Sequence, residues 1–276
     1  LGLGCAVHGS TMTQTTGAAE VVHRHRPERL TGMPADQPTI VATSGGYRYG
    51  ERIRLEFNAL VRHAVDLSGV HGRRPRMTFV GTASGDQAHA NHWIVQAGQH
   101  AGIEVTCLDL FPMPSSDDVP GLLLGSDVVW VQGGSVANLL AVWAVHDLGP
   151  AMRAAWESGV VLSGVSAGSI CWFVGGCTDS FGPELRPVTN ALGLLPYGNG
   201  VHYDSEASRR PTIHRLVGNG TLPVTHCSDD GVGLVYHGTE LVEAVAEVDG
   251  KGAYVVERSG AEVVETRIEP RRLKNP

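Results

Sequence analysis

Short β-branched runs, each ending in a glycine or small-residue loop, constrain this chain most. Thr39-Ile-Val-Ala-Thr-Ser44 runs into Gly45-Gly46, and Met77-Thr-Phe-Val80 runs into Gly81-Thr-Ala-Ser84. Asp127-Val-Val-Trp-Val131 runs into Gln132-Gly133-Gly134, and Val160-Val161-Leu162 into Gly164-Val-Ser-Ala-Gly168. Ile103 to Leu108 is a further strand, followed by a Pro/Ser/Asp-rich connection over Pro112 to Pro120. Between them, apolar residues fall at helical spacing: Phe57, Leu60, Val61, Ala64, Val65 and Leu67, then Trp93, Ile94 and Ala97. Val136, Leu139, Leu140 and Trp143 follow a capping Ser135, and another helix is expected near Pro150 to Glu157. Apolar strands alternating with amphipathic helices predict an α/β fold, a doubly wound, mostly parallel sheet with helices on both faces. In such sheets the site lies beyond the carboxyl ends of the strands. The Gly45, Thr82, Gly133 and Ser166 loops therefore converge on one rim.

After Ser166 the rhythm changes. Val174 to Gly200 is loop-rich, and Ser205 is expected to cap a helix through Val217. Leu222 to His226, Val232 to Tyr236, Leu241 to Val248, Ala253 to Glu257 and Ala261 to Ile268 read as short strands. They are expected to finish the sheet with an antiparallel C-terminal edge. Asp249-Gly250, between two apolar runs, is a hairpin signal. Residues 1–38 lack sustained periodicity and are expected to be a loose N-terminal tail; residues 39–276 are expected to form one α/β domain. The stretch Leu1-Gly-Leu-Gly-Cys-Ala-Val7 is too short, and lacks the basic flank, for a secretory signal.

Composition narrows the function. A formal charge of −7 gives no reason to expect nucleic acid or an anionic membrane as partner. No apolar run approaches the roughly 18 to 20 residues that span a bilayer. The five cysteines include no C-x-x-C pair, so they read as reduced core thiols of a cytoplasmic protein. The thirteen histidines form no H-E-x-x-H or H-x-H pattern. No metal or other cofactor is expected, and the partner is expected to be a small molecule bound by a monomer or homodimer.

The most chemically suggestive stretch is Val160 to Trp172, VVLSGVSAGSICW. A buried strand, a tight small-residue turn and a helix would push the Ser166 hydroxyl out of the sheet edge into a cleft. The flanking glycines would allow strained dihedrals and close passage of helix and strand. The first N–H groups of the helix have no partner within it and can donate to a developing oxyanion. Ser166 is thus a candidate nucleophile that needs a base and a group to orient that base. His202, His214, His226 and His237 follow it in the chain. His202 lies on a loop after Gly198-Asn-Gly-Val201, His226 ends a strand, His214 lies in a basic helix and His237 in a hairpin turn. The carboxylate candidates are Asp179, Asp204, Asp229 and Asp230.

VVLSGVSAGSICW, the upstream VVWVQGGSVANLL, GTASGD after the second strand and GVHYDSEASRR together resemble the peptidase E / cyanophycinase family of serine peptidases. The similarity runs from about Thr39 to about Val248. The resemblance implies a flavodoxin-like fold related to class I glutamine amidotransferases, and an acyl-transfer mechanism on short peptides. It implies Ser166 as nucleophile and His202, in the His-Tyr loop, as base. It implies Asp230 as the acid, where the peptidase E branch usually has Glu, and Asp179 as a further acid. It implies oxyanion donors at Gly134 and Ala167, although the family's Gly-Gly-Gly-Asn-Thr reads Gln132-Gly-Gly-Ser-Val136 here. Related enzymes often carry arginines shortly after the histidine, so Arg209 or Arg210 is expected to bind the carboxylate of an acidic substrate, such as a dipeptide with N-terminal Asp. Two other readings remain: an esterase of the α/β-hydrolase type, and a non-catalytic relative that binds a small ligand. The chain order Ser, His, Asp separates the first reading from the α/β-hydrolase order Ser, Asp, His.

Overall fold

A computed structural model of the chain describes residues 35–274. The loose tail expected over residues 1–38 therefore lies, up to residue 34, outside the described residues.

The apolar runs become strands β1 (Thr39–Thr43), β4 (Arg76–Val80), β5 (Glu104–Leu108), β6 (Val128–Val131) and β7 (Val161–Val165). A small hairpin of β2 (Tyr47–Tyr49) and β3 (Leu55–Phe57) intervenes after β1. The helices are α1 (Ala59–Leu67), α2 (Ala88–Ala101), α3 (Val119–Leu124), α4 (Val136–Val145), α5 (Leu148–Glu157) and α6 (Ala167–Ile170). Asn58 caps α1 by accepting from the Leu60 and Val61 N–H groups, and the Ser135 hydroxyl accepts from Asn138 at the start of α4.

The five strands β5, β4, β6, β7 and β1 run parallel, in that order across the sheet. Their alternation splits the core in two. Ile40, Ala42, Val129, Val131 and Leu162 point to the face covered by Leu123, Leu139, Trp143, Met152 and Trp156 of α3, α4 and α5. Val41, Val128, Trp130 and Val161 point to the face covered by Leu60, Val61, Ile94 and Ala97 of α1 and α2. Both faces are buried, as a doubly wound sheet requires.

The C-terminal third completes the fold differently from the sequence reading. Its elements are β8 (Gly175–Thr178), β9 (Arg186–Val188), β10 (Gly198–Gly200), α7 (Arg209–Gly218), β11 (Thr225–Ser228), β12 (Val232–His237), β13 (Glu240–Ala246), β14 (Ala253–Ser259), β15 (Glu262–Ile268) and β16 (Arg271–Arg272). β12 pairs antiparallel with β1, and β13 and β16 extend that edge. The expected antiparallel edge is therefore present. However, β11, β14 and β15 join β8, β9 and β10 in a second, six-stranded sheet covered by α7. Alternation marks a strand's two faces and not its neighbours, so the sequence did not separate the sheets. Asp249-Gly250 likewise closes no hairpin. Gly250 takes the expected positive φ, but the turn connects β13 of one sheet to β14 of the other. The expected helix start at Ser205 moves to Arg209. Pro211 has no N–H and is tolerated only in a first helical turn.

The turn between β7 and α6 explains its own glycines. A Cβ on Gly168 would lie 2.1 Å from the Val131 carbonyl oxygen, and one on Gly164 would lie 2.4 Å from the Gly168 oxygen. These glycines let α6 press onto β6 and β7. The positive φ belongs to Ser166 itself, at 58°. A Gly168→Ala substitution is expected to cost about 1–3 kcal/mol through overpacking against backbone. Urea denaturation checks this. A loss below about 0.5 kcal/mol, the size of an ordinary surface change, would contradict the close approach.

Candidate active site

The site residues that the resemblance implies come from the carboxyl ends of β6, β7, β8 and β10, from the start of α7 and from the chain between β11 and β12. Ser166 occupies the sharp turn after β7, in backbone space that a non-glycine residue seldom adopts (φ 58°, ψ −112°). Its N–H donates to the Thr43 carbonyl at the end of β1, and its own carbonyl accepts from Ser169 and Ile170 in α6. The turn is held on both sides. α6 is one helical turn long, shorter than the sequence suggests.

Gly134 follows β6, is exposed and has φ 141°. A Cβ there would lie 2.3 Å from the Ala83 carbonyl oxygen, which also accepts the Ser135 N–H at 2.9 Å. Only glycine passes this close to the loop after β4. No hydrogen-bond acceptor among the described residues engages the N–H of Gly134 or of Ala167.

His202 stands just after β10, also at positive φ (52°). Its N–H donates to the Ser44 hydroxyl at 3.2 Å, and Ser44 in turn bonds to Ser228. Its Nδ1 lies 2.5 Å from Oδ1 of Asp230. With Nδ1 engaged, Nε2 is the remaining ring nitrogen. Asp230 is itself positioned, because its N–H donates to Oδ1 of Asp204 at 2.9 Å, and Lys251 pairs with the other Asp204 oxygen.

A cleft of about 440 Å³ is lined by Gly134, Ser135, Ser166, Asp179, Ser180, His202, Glu206 and Arg209. It brings together Ser166, His202, Gly134, Asp179 and Arg209 of the sequence-derived set. Ala167 adjoins Ser166 and is buried. Asp230 reaches the cleft through His202.

The other candidates are placed elsewhere. Asp229 is buried; its Oδ2 accepts from the Gly252 N–H at 2.8 Å and the Tyr254 hydroxyl at 3.2 Å. Burial pushes its carboxyl above the usual carboxylate range. Asp229 thus ties β14 to the end of β11, while Asp230 meets the histidine. His226 is a core residue stacked on Tyr197 and bonded to the Tyr236 hydroxyl at 2.7 Å. Burial lowers its pKa to about 4, so the ring stays neutral at ordinary pH. His214 bonds to Glu265, and His237 to Gln37. Arg210, expected as an alternative substrate contact, does not line the cleft. Its guanidinium pairs with Glu265 and lies over the rings of Tyr203 and Tyr254. Adjacent helical residues point in directions about 100° apart, and Arg209 is the one at the cleft.

Sequence reasoning missed Ser44 under His202 and Glu206 beside Arg209, and it offered Asp204 as a candidate acid where the structure makes it, with Lys251, the support of Asp230. Only the short spacing of Glu206 to Arg209 hinted at their pairing. Among the described residues no group of three or more His, Cys, Asp or Glu is arranged to hold a metal ion, and no helix is long and apolar enough to cross a membrane. Cys171, Cys177 and Cys227 are buried free thiols and Cys107 is half-buried; Cys5 lies outside the described residues.

The fold is flavodoxin-like, and a solved peptidase shares it. A peptidase from an acI-B1 Actinobacterium matches with a TM-score of 0.63 at 16% identity, covering 86% of this chain and 96% of that one. A putative peptidase E protein from Listeria monocytogenes EGD-e shows a weaker likeness, with a TM-score of 0.49 at 14% identity over 84% of this chain and all of its own. In sequence, the uncharacterized peptidase YgaJ of Bacillus subtilis (strain 168) is 39% identical over 196 residues, which is 70% of this chain and 82% of that protein. Residues 41–244 match peptidase family S51, and the chain belongs to that family.

The two neighbouring aspartates give a direct test. Asp230→Asn is expected to lower kcat by at least about 100-fold, as loss of a histidine-orienting carboxylate does, and to leave the urea midpoint nearly unchanged. Asp229→Asn is expected to lower the midpoint and leave kcat of the folded enzyme within a few-fold. Equal effects of the two on kcat would contradict the division of roles.

Proposed function

We propose that this S51 peptidase is a serine exopeptidase of the dipeptidase E kind, acting on short peptides through Ser166, His202 and Asp230. The observation that carries the reading is the strained Ser166 turn opening on the same cleft as a histidine whose Nδ1 is held by a carboxylate. In this reading His202 takes the Ser166 proton at Nε2 as the hydroxyl oxygen attacks the scissile carbonyl. Asp230 keeps the imidazole in the tautomer with the proton on Nδ1 and stabilises the imidazolium that forms. The Gly134 and Ala167 N–H groups donate to the oxyanion of the tetrahedral intermediate. One such donor is worth about 3–4 kcal/mol of barrier. His202 then protonates the leaving amine, and water resolves the acyl-enzyme.

The cleft, of about 440 Å³, has room for a short peptide, which is in keeping with exopeptidase action. Asp179 stands in this cleft with a carboxylate that no described side chain engages, and it is suited to a free substrate ammonium. The N-terminal-aspartate specificity that the motifs suggest would rest on one cleft cation, Arg209, which is already paired with Glu206.

Wild-type protein is expected to hydrolyse dipeptides from an X-Leu panel, and Ser166→Ala to lose at least about 1,000-fold in kcat. Its melting temperature should stay close to wild type, because alanine fits a small side chain that faces a cleft. Retention of a tenth of the activity in Ser166→Ala would sink the nucleophile assignment. Hydrolysis of esters but of no peptide would favour the esterase reading.

A further inference from the structure

The cleft has more carboxylate than cation. Asp179 and Glu206 line it, and Arg209 is the cation among its described lining residues. Arg209 is not available as a free positive charge. Its side chain is 3% exposed; Nη1 donates to the Cys177 carbonyl, and Nη2 donates to the Glu206 carboxylate. Cys177 lies on β8, and Glu206 lies on the short segment between His202 and α7. Two backbone bonds fix that segment: the Glu206 N–H donates to the His202 carbonyl at 3.2 Å, and the Arg209 N–H to the Glu206 carbonyl at 2.8 Å. The Glu206 side chain remains 37% exposed and lines the cleft. An incoming carboxylate would have to displace Glu206 from a buried guanidinium. It would meet the like charges of Glu206 and Asp179 as it did so, and like-charge juxtaposition disfavours a partner strongly. An incoming ammonium, or an uncharged side chain, meets no such penalty.

We propose that Glu206 is a specificity-determining residue. By holding Arg209 in an ion pair, it sets the cleft to take peptides with an uncharged or basic N-terminal residue and to reject those with an N-terminal Asp or Glu. This inference rests on the exopeptidase reading for its substrate but not for its charge argument. Glu206→Gln removes the repelling charge, keeps a hydrogen-bond acceptor for the guanidinium and frees Arg209 to pair with a substrate carboxylate.

The test compares Ala-Leu, Lys-Leu and Asp-Leu in two measurements. The first is kcat/KM in wild type and Glu206→Gln. The second is calorimetric binding of the same dipeptides to Ser166→Ala and to Ser166→Ala/Glu206→Gln, which needs no turnover. Wild type is expected to favour Ala-Leu and Lys-Leu over Asp-Leu by about tenfold or more, and Glu206→Gln to shift the Asp-Leu to Ala-Leu ratio upward by about tenfold, a ΔΔG of roughly 1.4 kcal/mol. Binding to the Ser166→Ala proteins should follow the same order. Wild-type preference for Asp-Leu, or an unchanged ratio in Glu206→Gln, overturns the proposal. If wild type hydrolyses none of the three while Ser166→Ala still binds them in the expected order, the exopeptidase reading fails and the charge inference stands. Failure to bind any of them overturns both. Should Glu206→Gln not fold, the wild-type order alone decides.

Discussion

The site depends on how closely the turn after β7 is pressed against its neighbours. A Cβ on Gly164 would meet the Gly168 and Val131 carbonyl oxygens, and one on Gly168 would meet the Val131 carbonyl oxygen. That close approach fixes where the chain must reverse, and the residue at the reversal, Ser166, is driven to positive φ. The strain of such a residue, of order 1–3 kcal/mol, is offset by bonds to Thr43 on one side and to Ser169 and Ile170 on the other. The same close packing recurs one strand away, where Gly134 passes against the Ala83 carbonyl. The cleft rim is thus set by backbone meeting backbone, which is stiffer than any side-chain contact.

The second sheet supplies the rest. Because β10 and β11 belong to it while β1 and β12 belong to the first, the chain crosses between sheets at Asp229-Asp230-Gly231. Asp229 anchors the crossing to β14, and Gly231 donates to the Ser44 carbonyl at the end of β1. Asp230, between these anchors, is turned toward the His202 ring. His202 is fixed in the same junction through Ser44. Glu206 and Arg209 follow four and seven residues later, so the segment after the histidine, with Asp179 beyond β8, sets the charge balance of the cleft.

Much of this was legible in the sequence. The apolar strands, the glycine loops at their carboxyl ends and the capped helices follow from periodicity and local turn chemistry, and they were enough to place the rim. The resemblance of VVLSGVSAGSICW and GVHYDSEASRR drew attention to Ser166 and His202. What was not legible depends on long-range geometry. Nothing local assigns β11 and β12 to different sheets, and so nothing local separates Asp229, a buried tie, from Asp230 beside it. The pairing of Arg209 with Glu206 was foreshadowed by spacing alone, and the stacking of Arg210 over Tyr203 and Tyr254 needed the β14 strand in place.

The central claim is that Ser166 is an activated nucleophile and that His202 activates it. The most direct measurement is the rate and position of covalent modification by a fluorophosphonate, followed by mass spectrometry of the intact protein and its peptides. The account requires a single adduct on Ser166, formed at least about 100-fold more slowly in His202→Ala, in line with the usual contribution of a general base. An adduct on another residue, or an unchanged rate in His202→Ala, would contradict it.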